Sequence, residues 1–160
     1  MTTFRCGRCR TELTGPVRQV PLPDPEDALA PHHMEDGREC PPRMAPGTFA
    51  VDPRPYGVPA VENPGPGSPD GVGECVPVDR AVGIVLSPAD VRHTSPSPIR
   101  VRRSGCCGPS GSDGPNLVCA GCGTEIATEA ADCWTAQEVI LLATAVRPHG
   151  ENPGAGTGGR

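Results

Sequence analysis

The sequence predicts a small, β-rich and loop-dominated fold with little helix. Three observations carry this prediction. The 160 residues include 21 Gly and 22 Pro without a collagen-like period, a level typical of irregular or low-complexity sequence. Only four residues are aromatic, so little apolar area can be buried per residue. The nine cysteines then suggest that cross-links supply the stability that so thin a core lacks.

The first half of the chain is predicted to hold few regular elements. Residues 4–20 are expected to form a strand, a cysteine-containing turn and a returning strand. Prolines recur throughout residues 21–78, and each removes a backbone donor and restricts the preceding residue. This stretch is therefore predicted to be a flexible insertion with one short strand at residues 47–52. Residues 62–73, rich in Gly, Pro and Ser, are typical of a connector.

Regular structure is predicted to resume at residue 81. Residues 81–86 form a compact apolar run typical of a strand. Ser87 followed by Pro88 predicts the start of a short helical turn. Residues 94–98 are expected to break regular structure, whereas the alternation at residues 99–103 predicts a short strand.

The last predicted strands flank the second cysteine pair and occupy residues 137–142. Taken together, these elements predict one domain over residues 1–149 that includes the insertion at about 21–78. Residues 150–160 contain mainly Gly, Pro and polar residues and are predicted to be a disordered tail.

Charge and hydropathy exclude some classes of partner. The net charge of −5 argues against a broadly basic nucleic-acid-binding surface. Arg100, Arg102 and Arg103 form a small basic stripe, which is interpreted first as an exposed strand face; contact with nucleic-acid phosphates or with an acidic protein partner is the weaker alternative. The first residues lack the apolar segment of a secretory signal, and no apolar run is long enough to span a membrane. The predicted compartment is the cytoplasm, where thiols stay reduced.

Two cysteine pairs carry the main chemical signal. Cys6 and Cys9, like Cys119 and Cys122, are separated by two residues, so one tight turn can bring both sulfurs together. Residues 6–14 also match residues 119–127 position by position, which predicts two similar knuckle hairpins. Two such pairs complete the four thiolates of a structural zinc site. The arrangement resembles a zinc ribbon whose halves lie far apart in the sequence.

Other cysteines leave the ligand grouping open. Cys106, Cys107 and Cys133 lie within thirty residues of the second pair, and either Cys106 or Cys107 could form a local site with Cys133 and that pair. The first pair would then need Cys40, His32 or His33. Alternatively, the two pairs and these three cysteines could form two zinc sites, with Cys40 or a histidine as the eighth ligand.

The segment from Gly105 to Trp134 has the pattern GCCGxxGxDGPNxxCxxCG followed by DCW. It resembles a block found in small, uncharacterised, cysteine-rich bacterial proteins. The resemblance implies a compact metal or thiol motif and implies no activity. Trp134 is expected to pack against this motif as the largest core residue.

Two functional hypotheses follow from these patterns. The first is a non-catalytic structural zinc protein that serves as an interaction module, with Zn²⁺ as its cofactor. The alternative is a redox-sensing, metal-sensing or catalytic protein that uses Cys106 and Cys107. His33 and Glu35, together with the second cysteine pair, superficially match the zinc deaminase motif. The helical context that this motif needs is absent here, so enzymatic activity is the less favoured hypothesis. A third possibility is that the fold binds no metal and keeps its thiols reduced.

Overall fold

The structure is a computed structural model that describes residues 1–36, 38–55 and 75–150. In these ranges it is built from strands and single turns of 3-10 helix, which confirms the predicted β-rich, loop-dominated class. Among the described residues, no helix has both the length and the apolar character that a membrane span requires.

The described residues form nine strands and five 3-10 turns. The strands are β1 (Thr2–Cys6), β2 (Arg18–Gln19), β3 (Thr48–Asp52), β4 (Gly83–Leu86), β5 (Thr94–Pro96), β6 (Leu117–Cys119), β7 (Glu125–Ala130), β8 (Glu138–Leu142) and β9 (Val146–Gly150). The 3-10 turns are Pro25–Asp27, Pro31–His33, Val78–Arg80, Pro88–Asp90 and Arg100–Arg103.

Seven strands form one sheet in the order β2-β3-β4-β8-β7-β6-β5, and β1 pairs with β9 in a separate two-stranded sheet. The pairings are antiparallel except that β2 runs parallel to β3. A short turn joins β8 to β9, so the chain passes directly from the large sheet to the small one. This connection brings the N-terminal strand against the large sheet.

The core lies where these strands meet. Phe4 of β1 and Phe49 of β3 are both buried and contact each other edge to face, with ring centroids 5.1 Å apart. Apolar side chains of β4, β7 and β8 complete this core, among them Ile84, Ile126 and Leu141. Burial of one face of β1 therefore fixes the strand that leads into the first cysteine pair.

Several predicted elements are confirmed with small changes in their bounds. The strand predicted at residues 47–52 is β3, that at 81–86 is β4 and that at 137–142 is β8. The predicted cap is also present, because Ser87 Oγ accepts the Ala89 N–H at 3.3 Å at the start of a 3-10 turn.

Two local predictions are wrong. Residues 94–96 form β5, because a proline is tolerated in the last strand of a sheet, where fewer donors are needed. Residues 100–103 form a 3-10 turn instead of a strand. Their alternation is therefore not the pattern of a half-buried strand, and Val101 is 62% exposed.

The predicted connector at residues 62–73 lies outside the described residues, as do residues 151–160 of the predicted tail. Gly150, which was predicted to begin that tail, is instead the last residue of β9 and pairs with Thr2.

Candidate metal centre

The first cysteine pair lies in a tight turn directly after β1. The Cys6 N–H donates to the Thr11 carbonyl at 2.8 Å, and the Arg10 N–H donates to the Cys6 carbonyl at 3.0 Å. Arg10 takes the left-handed conformation that closes this turn, with a φ of 64°. The Gly7 N–H is held by the Ala145 carbonyl at 2.8 Å, so the turn between β8 and β9 supports the first knuckle.

The second cysteine pair repeats this geometry between β6 and β7. The Cys119 N–H donates to the Thr124 carbonyl at 2.8 Å, and the Gly123 N–H donates to the Cys119 carbonyl at 2.8 Å. Gly123 holds the position of Arg10 and has a φ of 74°, which glycine adopts without steric cost. The similarity between residues 6–14 and 119–127 therefore reflects two turns with the same hydrogen bonds.

Residues 90–93 run between the two hairpins and bond to both. The Arg92 N–H donates to the Leu13 carbonyl at 2.8 Å, and the Ala120 N–H donates to the His93 carbonyl at 2.9 Å. His93 Nδ1 also lies 2.7 Å from the Glu12 carbonyl oxygen. Sequence reasoning missed this joining role, because a single histidine in a loop is usually a solvated residue.

Gly121 allows the two knuckles to approach each other. A Cβ atom at this position would lie 2.4 Å from Thr11 Oγ1 and 3.2 Å from Cys9 Sγ. A side chain at this position would therefore require Thr11 or the first knuckle to shift, whereas glycine lets the two knuckles lie at the observed distance.

The approach places four sulfurs in one group. Cys6 Sγ lies 3.7 Å from Cys122 Sγ, and Cys9 Sγ lies 3.5 Å from Cys119 Sγ. All four sulfurs lie within 4.8 Å of one another and could hold a metal ion. A tetrahedral ion with Zn–S bonds of about 2.3 Å needs sulfurs about 3.8 Å apart, so the observed spacing suits such an ion. A disulfide would need about 2 Å.

Local contacts and burial shift thiol pKa values in opposite directions within this group. The Thr11 hydroxyl, 3.1 Å from Cys9 Sγ, lowers the pKa of Cys9 from 9.0 to about 6. Likewise the Thr124 hydroxyl, 3.2 Å from Cys122 Sγ, lowers the pKa of Cys122. Burial instead raises the pKa of Cys6 to about 11. A bound cation would hold all four in the thiolate form, because metals bind thiolates.

Three of the remaining cysteines form a second group. Cys106, Cys107 and Cys133 lie together with Asp132, and one ligand atom from each falls within 4.8 Å of the others. The neighbouring Cys107 thiol raises the pKa of Cys133 to about 12. The backbone N–H of Cys107 is the main cause that lowers the pKa of Asp132. The second pair is thus placed with the first pair, and these three cysteines lie in a group apart.

No family model matches this chain, and neither a curated protein nor a solved structure matches it. The resemblance of the Gly105–Trp134 block to small cysteine-rich bacterial proteins therefore stays a prediction.

The other candidate ligands lie outside the four-sulfur group. Cys40 Sγ donates to the Leu29 carbonyl at 3.5 Å. His32 Nδ1 lies 3.0 Å from the Cys133 carbonyl oxygen, and His33 Nδ1 accepts the Ala30 N–H at 3.1 Å. The alternative in which one of these three completes a site with the first cysteine pair is not the grouping found.

The prediction that Trp134 is a core residue is wrong. Its side chain is 67% exposed and stacks on His32, with ring centroids 4.4 Å apart. The residue follows Cys133 in a turn rather than in a strand, so its position is set by the second cysteine group and not by the core.

The basic stripe is only partly available to a partner. Arg102 forms an ion pair with Glu125 of β7, whereas Arg100 and Arg103 are exposed. Contact of these arginines with nucleic acid stays a prediction.

Proposed function

We propose that this chain is a non-catalytic interaction module that is held together by one structural zinc ion bound to Cys6, Cys9, Cys119 and Cys122. The observation that carries the proposal is the convergence of these four sulfurs from two turns with matching hydrogen bonds. Four thiolates at tetrahedral spacing are the ligand set of structural zinc sites.

The closed ligand set favours a structural role over a catalytic one. A catalytic zinc ion keeps one coordination position for water or substrate and usually has three protein ligands. Here four thiols surround the centre, and Cys6 and Cys119 are buried in the core cluster beside it. An ion at this site would have no vacant position for chemistry.

Because the apolar core is small, a bound zinc ion would contribute to the free energy of folding. Apolar side chains from several strands are buried, but the two knuckles themselves contribute mainly their cysteines to that cluster. Zinc binding to small modules supplies an apparent free energy on the order of 10 kcal/mol, which is also folding free energy when the site forms only in the folded chain.

The module would present the segment Ile99–Arg103 to a partner. Ile99 and Val101 are 41% and 62% exposed, and the arginines at 100 and 103 are exposed beside them. Exposed apolar and guanidinium groups together suit a protein partner with an acidic surface, and phosphate groups are a second ligand for the same arginines.

The first test replaces Cys9 by serine in the full chain. Cys9 is the most exposed of the four ligands, so the change alters packing little while it removes one thiolate. We expect loss of the tightly bound zinc and a fall in Tm of at least about 10 °C. Metal analysis and thermal unfolding with and without a strong chelator measure both effects.

Cys40→Ser is the matched control, because this thiol lies outside both cysteine groups. The control should keep the tightly bound zinc and the Tm of the wild-type protein. The proposal is wrong if Cys9→Ser keeps that zinc, or if chelation leaves the thermal transition of the wild-type protein unchanged.

A further inference from the structure

The second cysteine group is built on a turn that packs against the end of β7. A Cβ atom on Gly105 would lie 1.7 Å from the Gly108 carbonyl oxygen, and one on Gly108 would lie 2.6 Å from the Ala131 carbonyl oxygen. The Ala131 N–H also donates to the Pro109 carbonyl at 2.9 Å. Cys106 and Cys107 are therefore held by a tightly packed backbone, although their side chains are exposed.

Asp132 organises this group through its carboxylate. Its Oδ2 accepts the Cys106 N–H at 3.1 Å, and its Oδ1 accepts the N–H groups of Cys107 at 3.0 Å and Cys133 at 2.7 Å. The carboxylate is buried and already has three donors. These three bonds occupy most of its acceptor capacity and make it a positioning residue for the three cysteines, whose thiols are the softer ligands of the group.

Three thiols on an exposed turn differ chemically from the closed four-thiol site. Thiolates are the ligands that zinc and other soft cations prefer. A zinc ion with three protein ligands keeps its fourth position for water or another small ligand. Since Cys106 and Cys107 are exposed, an ion could enter and leave this group without unfolding of the chain.

We propose that Cys106, Cys107 and Cys133 form a second zinc site with one coordination position open to solvent, from which zinc exchanges much faster than from the four-thiol site. This proposal goes beyond the structural zinc proposed above, because it needs neither knuckle and concerns a separate ion.

The single tryptophan of the chain gives this site its own signal. Trp134 follows Cys133 directly, and its ring contacts the ring of His32. The backbone nitrogen of His32 and its Nδ1 each lie 3.0 Å from the Cys133 carbonyl oxygen. An ion bound to Cys133 therefore changes the surroundings of Trp134. The emission of this residue reports on the second site and not on the knuckles.

The test uses the full chain, expressed and purified with excess Zn²⁺ under reducing conditions. Metal analysis should give two zinc ions per wild-type chain. A weak chelator should remove one of them quickly, with a parallel change in Trp134 emission, and should leave the other. Cys107→Ser and Cys133→Ser should each bind one zinc ion and show no change in emission on chelation.

Cys75→Ser is the control, because Cys75 is exposed like Cys106 and Cys107 but lies outside the group. It should keep both ions. If Cys107→Ser and Cys133→Ser retain the slowly exchanging ion, these variants are folded. The chelator experiment on the wild-type protein tests the second site without any substitution.

Two results would overturn the second site. In the first, the wild-type chain binds a single zinc ion and Cys9→Ser loses it. In the second, both Cys107→Ser and Cys133→Ser still bind two ions.

A different result would support the second site and contradict the structural zinc. In that result the wild-type chain binds a single ion, which Cys107→Ser loses and Cys9→Ser keeps.

Discussion

Gly121 is the residue at which the two knuckles come closest. The absence of a side chain lets Thr11 and Cys9 of the first knuckle lie against the backbone of the second. The same Thr11 hydroxyl also contacts Cys9 Sγ, so a displacement of Thr11 would disturb a ligand directly. The geometry of the candidate metal centre therefore depends on the absence of a Cβ atom at residue 121.

Gly121→Ala should weaken zinc binding at the four-thiol site. Its Cβ would overlap Thr11 Oγ1, and overpacking of this kind costs about 1–3 kcal/mol. We expect zinc affinity to fall about tenfold or more, as measured by competition with a chromophoric chelator. Gly15→Ala is the control, because its Cβ would meet only Arg92 Nη2 at 3.9 Å. Equal affinity in the two variants would contradict this account of the contact.

Single residues show where sequence reasoning reaches its limit. The two cysteine pairs of the four-sulfur group were predicted as candidate ligands because the spacing within each pair is a local property of a turn. The position of Trp134 was not predictable in the same way, since its size suggested a core position and its stacking on His32 depends on residues one hundred positions away. His93 was missed for the same reason, because its partners Glu12 and Ala120 come from two different hairpins.

At the level of elements, the hairpin of β6 and β7 carries the second knuckle and is reinforced by a side chain. Asn116 Nδ2 donates to the Glu129 carbonyl at 2.8 Å, and its Oδ1 accepts the Glu129 N–H at 2.7 Å. Asn116 is buried, so both bonds are shielded from water. The side chain thus acts as an additional peptide group at the end of the hairpin and fixes the backbone of Glu129.

Glu129 should make the stability of the fold depend on pH. Burial raises the pKa of its carboxyl above the ordinary value of 4.5, so the folded protein holds this proton more tightly than the unfolded chain does. The stabilising contribution is therefore complete below about pH 4.5 and is lost as the pH rises through the raised pKa. Relative to Glu129→Gln, the wild-type protein should lose free energy of unfolding over this range.

Urea unfolding of both proteins at a series of pH values measures this difference. The comparison cancels the effect of pH on metal binding, because both proteins keep all the cysteines. Glu39→Gln removes the same charge from an exposed position and controls for net charge. A constant difference between the wild-type protein and Glu129→Gln across the pH range would contradict the prediction.

Elements whose own residues form a strong apolar pattern were predictable from sequence. Elements that depend on pairing with a neighbouring strand were not. The strands β3, β4 and β8 are apolar runs whose residues are largely buried, so composition alone indicates them. Strand β5 contains Pro96 and is followed by Pro98, which argued for a break, and it exists because β6 offers it a paired edge. Residues 100–103 have the alternation of a strand without a neighbouring strand to pair with among the described elements.

For the whole molecule, an ion at the proposed four-thiol site would join parts of the chain that the sheet holds less directly. The first knuckle continues from β1, which pairs with β9 in the smaller sheet, whereas the second continues from β6 in the larger one. Without an ion, the hydrogen bonds of residues 90–93 and the contact at Gly121 remain between the two hairpins. Local opening should therefore begin at the knuckles.

Hydrogen exchange should detect this opening when zinc is removed. The amides of Gly7, Arg10 and Gly123, which are bonded within or beside the knuckles, should lose protection after chelation. Amides of β4 and β8, which pair in the middle of the large sheet, should keep theirs under conditions where the protein remains folded. Cys9→Ser should show the same pattern without chelator, and unchanged protection at the knuckles would contradict it.

The separation of the two knuckles along the chain also has a consequence in time. Cys9 and Cys119 are 110 positions apart, and closing a loop of that length costs roughly 4 kcal/mol of chain entropy. At a synthesis rate of about 5–20 residues per second, the second knuckle emerges roughly 5–20 s after the first. Throughout that interval Cys6 and Cys9 would supply only half of the proposed site, and their thiols would be open to oxidation and to other metals. If the site binds zinc as proposed, the nascent chain would depend on its surroundings to keep these two thiols reduced until Cys119 and Cys122 are synthesised.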